Sequence, residues 1–137
     1  MMIAMAGYGF SQETTITVYA QNKSVSAVPD EENGGKVLVL QRSTTPSESY
    51  LMAKVTNEEI NENWKRTFII YDSDDKEVSS LAAMKQDSYG VPLKTLLPAL
   101  QHDREYSLYT VIFPKDPQKA MEVKVARQLV CKIQLSD

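Results

Sequence analysis

The sequence predicts an all-β protein, an antiparallel β-sandwich with one or two short helical turns. Three observations carry this expectation. Over residues 121–135 apolar side chains hold the odd positions Met121, Val123, Val125, Leu129, Cys131, Ile133 and Leu135, while Glu122, Lys124, Gln128, Lys132 and Gln134 are polar. A period of two buries one face of a strand, and no helix keeps it. Further β-branched and aromatic runs are separated by turn residues such as Asn33-Gly34-Gly35 and Asp72-Ser73-Asp74-Asp75. No long helical pattern alternates with these runs, which sets aside a parallel α/β sheet.

The elements follow in chain order. Residues 1–13 are small and apolar and lack a basic start, so they read as an ordered arm or as the remnant of a secretory signal. Residues 14–20 alternate Ile16, Val18 and Ala20 with Thr15, Thr17 and Tyr19, a half-buried strand. Residues 36–42 carry Val37, Leu38, Val39 and Leu40 in succession, which predicts a central strand covered on both faces. After a strand at 50–55, Thr56-Asn57-Glu58-Glu59 has the spacing of a capping box and predicts a helical turn. Residues 64–71 read as another central strand with Trp64 in the core, and 77–83 as a weaker one.

Leu93, Leu96, Leu97 and Leu100 have helical spacing, interrupted by Pro98, so a short broken helical crossover is expected. Residues 105–113 return to strand. The closing run contains Arg127 on its apolar parity. A bulge is not expected there, because Leu129 resumes the parity of Val125. Fifteen residues at roughly 3.3 Å each would span about 50 Å, so the first reading is a strand that bends from one sheet to the other at Arg127. The second is a pairing of Arg127 with a buried carboxylate, and the third a contact with a partner chain.

Composition limits the chemistry. A chain of 137 residues fits one domain, here 14–137, and a net charge of −3 argues against a nucleic-acid partner. Cys131 is the only cysteine and His102 the only histidine, so an intrachain disulfide is excluded and a common zinc site would need other ligands. The glycines form no phosphate loop and no Gly-x-Ser-x-Gly elbow exists. Asp72, Asp74, Asp75 and Glu77 lack EF-hand spacing and read as a solvated hairpin turn. No stretch is long and apolar enough for a transmembrane helix.

The segment from Leu100 through Gln101, His102, Asp103, Arg104 and Glu105 to Tyr106, ahead of an apolar strand, resembles the tyrosine corner of immunoglobulin-like and fibronectin type III sandwiches. The resemblance implies that the Tyr106 hydroxyl bonds to upstream backbone. It implies the broad architecture of those families without their inter-sheet cysteine pair, and it transfers no function.

The resulting expectation is a non-catalytic interaction or assembly module, without cofactor, metal or catalytic residues. A protein partner or self-association is expected through Tyr8, Phe10, Tyr19, Lys124, Arg127 and Lys132, where aromatic or basic side chains would meet it. The alternative is a secreted or periplasmic ligand-binding domain that takes a carbohydrate, or a ligand with calcium, on loops 43–49, 72–77 and 114–120.

Overall fold

The computed structural model describes residues 13–29, 31–42, 49–60, 62–122 and 126–136. Tyr8, Phe10 and Lys124, together with residues 1–12 of the arm expected at 1–13, lie outside the described residues. The described residues hold nine strands: β1 (Thr15–Ala20), β2 (Lys23–Ala27), β3 (Val37–Leu40), β4 (Tyr50–Thr56), β5 (Trp64–Tyr71), β6 (Glu77–Ala83), β7 (Ser88–Pro92), β8 (Glu105–Pro114) and β9 (Arg127–Leu135). Two short helices accompany them, α1 (Leu93–Leu96), continued by a 3-10 turn at Leu97–Ala99, and α2 (Pro117–Glu122).

The protein is all-β. Its strands form one mixed sheet in the order β2-β1-β4-β7-β6-β5-β8-β9-β3, curled into a nearly closed barrel. A purely antiparallel sandwich therefore does not describe it, because β3 lies parallel to β9, with Val37 beside Lys132 and Leu40 beside Leu135. Hairpins impose antiparallel pairing only on strands that they join, and β3 and β9 are far apart in sequence. The expectation of a central strand at 36–42 is corrected with it: β3 ladders on β9 alone, and Val37 is exposed.

β2 escaped the sequence reading because Lys23, Ser24 and Ser26 make it look like loop. Its partner supplies the reason to be extended. The β1–β2 connection places Gln21 and Asn22 at φ 53° and 65°, as a two-residue type I′ hairpin turn requires. At the far side of the barrel β2 and β3 face each other without a backbone ladder, and side chains bridge them. Lys23 Nζ donates to the Val39 carbonyl (2.9 Å) and Lys36 Nζ to the Ser26 carbonyl (2.6 Å). The Gln21 carboxamide imitates a peptide unit, donating to the Gln41 carbonyl at 2.6 Å and accepting from the Gln41 amide at 2.8 Å.

The strand that passes from one side of the barrel to the other is β6. Its Leu81 still pairs with Phe68 of β5, whereas Ala82 and Ala83 pair with Gly90 and Tyr89 of β7. The bend expected at Arg127 is not there. The closing strand begins at Arg127, and Met121 and Glu122 end α2 instead, where Met121 is 88% exposed. Asp116 starts that helix by accepting the Gln118 amide on Oδ1 at 3.0 Å, and Gln, Lys, Ala, Met and Glu are good helix formers. β9 does carry a bulge: Leu129 stands opposite Tyr109 and Cys131 opposite Leu108, leaving Val130 as the extra residue. Parity switches there, so Val130 and Cys131 are both buried while Arg127 faces outward. The regular alternation through Arg127 therefore does not mark one continuous strand: Met121 stands on a helix, and Val130 shifts the parity of the strand that follows.

Two more expectations change. Residues 57–60 form no helix, because Asn57 takes φ 59°, a left-handed conformation that stops a helical path. Trp64 is half-buried and lies beside Pro114 and Lys115 at the barrel's edge, outside the core. The core itself fills the barrel with Phe68, Ile70, Leu108, Ile133, Leu40, Leu51 and Ile16, and the broken helix at 93–99 closes one end with Leu93, Leu96 and Leu97. At that end the buried Tyr106 hydroxyl accepts the Gln101 amide at 2.7 Å, the bond that the local resemblance implied. Tyr106→Phe removes this acceptor and is expected to cost about 1 kcal/mol, read as a lower urea midpoint with unchanged slope.

Candidate functional site

The barrel interior changes character along its axis. The β5–β8 register sets Ile70 beside Leu108, Phe68 beside Thr110 and Arg66 beside Ile112, so the inward column of β5 runs from apolar residues to a guanidinium. Arg66 is only 6% exposed. A buried arginine must have its charge and its N–H groups met. Glu58 balances the charge and takes two of the N–H groups in bidentate fashion, Nε to Oε2 at 2.7 Å and Nη2 to Oε1 at 2.9 Å. Nη1 donates to Thr110 Oγ1 at 2.9 Å, and that hydroxyl in turn donates to the Thr67 carbonyl at 3.1 Å.

Glu58 reaches Arg66 because the chain after β4 is tied across to the start of β1. Thr14 Oγ1 donates to the Asn57 carbonyl at 2.7 Å, and Asn57 Nδ2 donates to the Glu13 carbonyl at 3.5 Å. The left-handed Asn57 then turns Glu58 inward and leaves Glu59 exposed. Across the mouth, Asn33 pins the loop after β2 by donating from Nδ2 to the carbonyls of Val28 and Leu129, both at 3.0 Å. Between these two loops lies a cavity of about 340 Å³. Val28, Pro29, Ile60 and Ile112, with the polar Thr14 and Gln128 beside them, form the walls, the Arg66–Glu58 pair is the floor, and Glu13, Glu31 and Glu59 stand at the exposed rim.

The pair also acts on Tyr89, whose ring packs against Phe68 with centroids 4.9 Å apart. Burial, followed by the Glu58 charge, raises the Tyr89 pKa, and Arg66 opposes the shift. Its hydroxyl is neutral at physiological pH. Burial likewise pushes the Cys131 thiol up to about 12, which keeps it protonated and a poor nucleophile.

Of the contact residues expected from the sequence, the described ones, Tyr19, Arg127 and Lys132, do not gather into one surface. Tyr19 is 39% exposed on the outer face of β1, in a shallow groove with Tyr50 and Met52. Gly90 supports that face, since a Cβ there would sit 2.6 Å from the Met52 sulfur and 2.7 Å from that of Met84. Arg127 lies on β9, with its guanidinium carbon 4.1 Å from the Tyr109 ring centre and 4.7 Å from that of Tyr71. Its carboxylate partner is Asp75 at 2.6 Å, which is exposed rather than buried. Lys132 pairs with Glu105 at 2.8 Å, and because β9 runs between β8 and β3 it is not the free edge that its basic residues suggested. In the acidic turn, Asp72 Oδ1 accepts the amides of Asp74 and Lys76 at 2.9 and 3.0 Å, as a hairpin turn requires.

Sequence reasoning missed Arg66, Glu58 and Thr110. One signal was present: Arg66 shares the parity of Phe68 and Ile70 in its strand. Comparison of the chain with protein-family models, curated proteins and solved structures gives no match. No helix among the described residues is long and apolar enough to cross a membrane, and among them no three metal-binding side chains stand together.

Two measurements check this geometry. Arg66→Met strands the Glu58 carboxylate at the barrel mouth and is expected to cost about 3 kcal/mol, while Arg66→Met with Glu58→Met recovers much of the loss because the charge goes with its partner; urea unfolding of the three proteins gives the coupling. An unfolded thiol ionises near pH 9.0 and the buried Cys131 only near 12. Between those values the unfolded chain holds fewer protons, so stability falls as pH rises, by up to about 1.4 kcal/mol per pH unit. At neutral pH a thiol reagent should label Cys131 only as fast as the protein unfolds.

Proposed function

We propose that the protein is a non-catalytic binding module that takes a small ligand in the cavity at its barrel mouth. One observation carries this reading, the buried Arg66–Glu58 pair at the floor of the cavity. A buried ion pair adds little stability over apolar side chains of the same volume, and the same barrel is packed with such side chains everywhere below it. Polar groups held rigidly at the bottom of an apolar-walled cavity are what ligand sites use to orient a guest. A non-catalytic role draws support from the protonated, buried Cys131 and from Glu58, whose two oxygens both accept from Arg66.

A second reading, contact with a protein partner, draws on the outer face where Tyr19 and Tyr50 are 39% and 40% exposed. The immunoglobulin-like description of the architecture also stands as a proposal, supported by the Tyr106 corner.

Thermal unfolding of the full chain with a panel of small polar and amphipathic molecules tests the first reading. A ligand at a hundredfold excess over its Kd stabilises by about 2.7 kcal/mol, and Ile60→Trp, which fills the mouth, should abolish the shift. A panel without any shift, or shifts that persist in Ile60→Trp, would overturn it. For the second reading, Tyr19→Glu with Tyr50→Glu should dissolve any self-association seen by sedimentation velocity. An unchanged monomer before and after substitution would remove self-association through that face.

A further inference from the structure

We infer that the mouth cavity selects small primary amines that carry a hydrogen-bond acceptor at the far end of an apolar stem. This inference rests on the reading of the mouth as a ligand site and adds the chemistry of the guest. Three independent features of the cavity point the same way.

The floor donates. Guanidinium has five N–H groups, and Arg66 places three, two on Glu58 and one on Thr110. Two N–H groups have no acceptor among the described residues, on a side chain that lines the cavity and is only 3% exposed. A carbonyl, ether or hydroxyl oxygen that reached the floor would satisfy them. Glu58 cancels the charge of Arg66, so the floor offers donors without repelling a cation.

The walls carry an apolar stripe. Val28, Pro29, Ile60 and Ile112 come from three separate parts of the chain, the loop after β2, the loop after β4 and the inward face of β8, and beside the polar Thr14 and Gln128 they give the stem of a guest an apolar surface to lie on. The rim is anionic. The ion pairs among the described residues join Arg66 to Glu58, Arg127 to Asp75 and Lys132 to Glu105, and none of them engages Glu13, Glu31 or Glu59. These three carboxylates surround the opening above a neutral floor, and low-dielectric walls concentrate their field in the entrance. An anionic guest meets repulsion on entry, and a neutral one forgoes the rim. An ammonium at the outer end of a guest whose acceptor lies on Arg66 meets both features at once.

Isothermal titration of the full chain with 6-aminohexanamide, hexanamide and hexylamine separates the contributions. The first compound has ammonium, stem and acceptor, the second lacks the ammonium, and the third lacks the acceptor. 6-Aminohexanamide should bind roughly tenfold or more tightly than either of the others. In the Glu31→Gln, Glu59→Gln double variant, which changes only exposed side chains, its advantage over hexanamide should vanish while its advantage over hexylamine persists. Equal affinity for hexanamide in the unsubstituted protein overturns selection for amines, and an unchanged preference in the double variant overturns the role given to the rim carboxylates; either result leaves the cavity as a ligand site. Equal affinity for hexylamine overturns the role given to Arg66. If none of the three binds, the amine inference fails, and protection by other members of the panel decides whether the ligand-site reading fails with it.

Discussion

A curled sheet has two edges, and each edge strand presents backbone amides and carbonyls that ladder on one side only. Here the last constraint on the fold is how β2 meets β3. The strands come together without a shared ladder, and Lys23, Lys36 and Gln21 supply the missing hydrogen bonds from side chains. Long flexible donors can span a gap that is too wide for peptide groups to bridge. They also leave basic side chains along the join, which discourages pairing with another chain. Once this seam is held, the inward faces of the described strands bound one volume, and Phe68, Leu108 and Ile133 fill it.

Closure also determines where polarity can enter. At one end the leucines of α1 and the following turn cover the core, and Tyr106 fastens the chain as it enters β8. Among the described residues the other end has no such cover. There the inward positions pass to Arg66 and Gln128, and the loops after β2 and β4 stand apart around a cavity. Arg66 is tolerated because its partners are fixed by the fold: Thr110 by the β5–β8 pairing, and Glu58 by a short connection whose direction Asn57 and Thr14 set. The desolvation of a guanidinium is large enough that loose partners would not hold it in place.

The outer surface follows a different logic. Arg127 and Lys65 lie over aromatic rings of the same β5–β8–β9 face, so the cations shield rings that would otherwise be open to water. Such contacts are worth about 0.5–1 kcal/mol at exposed positions. They organise the face and do not drive the fold.

The sequence by itself determined that the chain is β-rich, where strands β1, β4, β5, β6 and β8 lie, that a broken helix precedes β8, and that Tyr106 bonds back to the chain. Each of these is a local matter of side-chain period, turn chemistry or a bond over a few residues. What it could not determine depends on partners distant in sequence. β2 and β7 are too polar or too short to declare themselves and become strands because β1 and β4 pair with them. The parallel β3–β9 contact, the Val130 bulge that turns Arg127 outward, and the approach of Glu58 to Arg66 arise only when the sheet closes. Parity in a sequence records which residues share a face, but the register and curvature of neighbouring strands decide which face is inside.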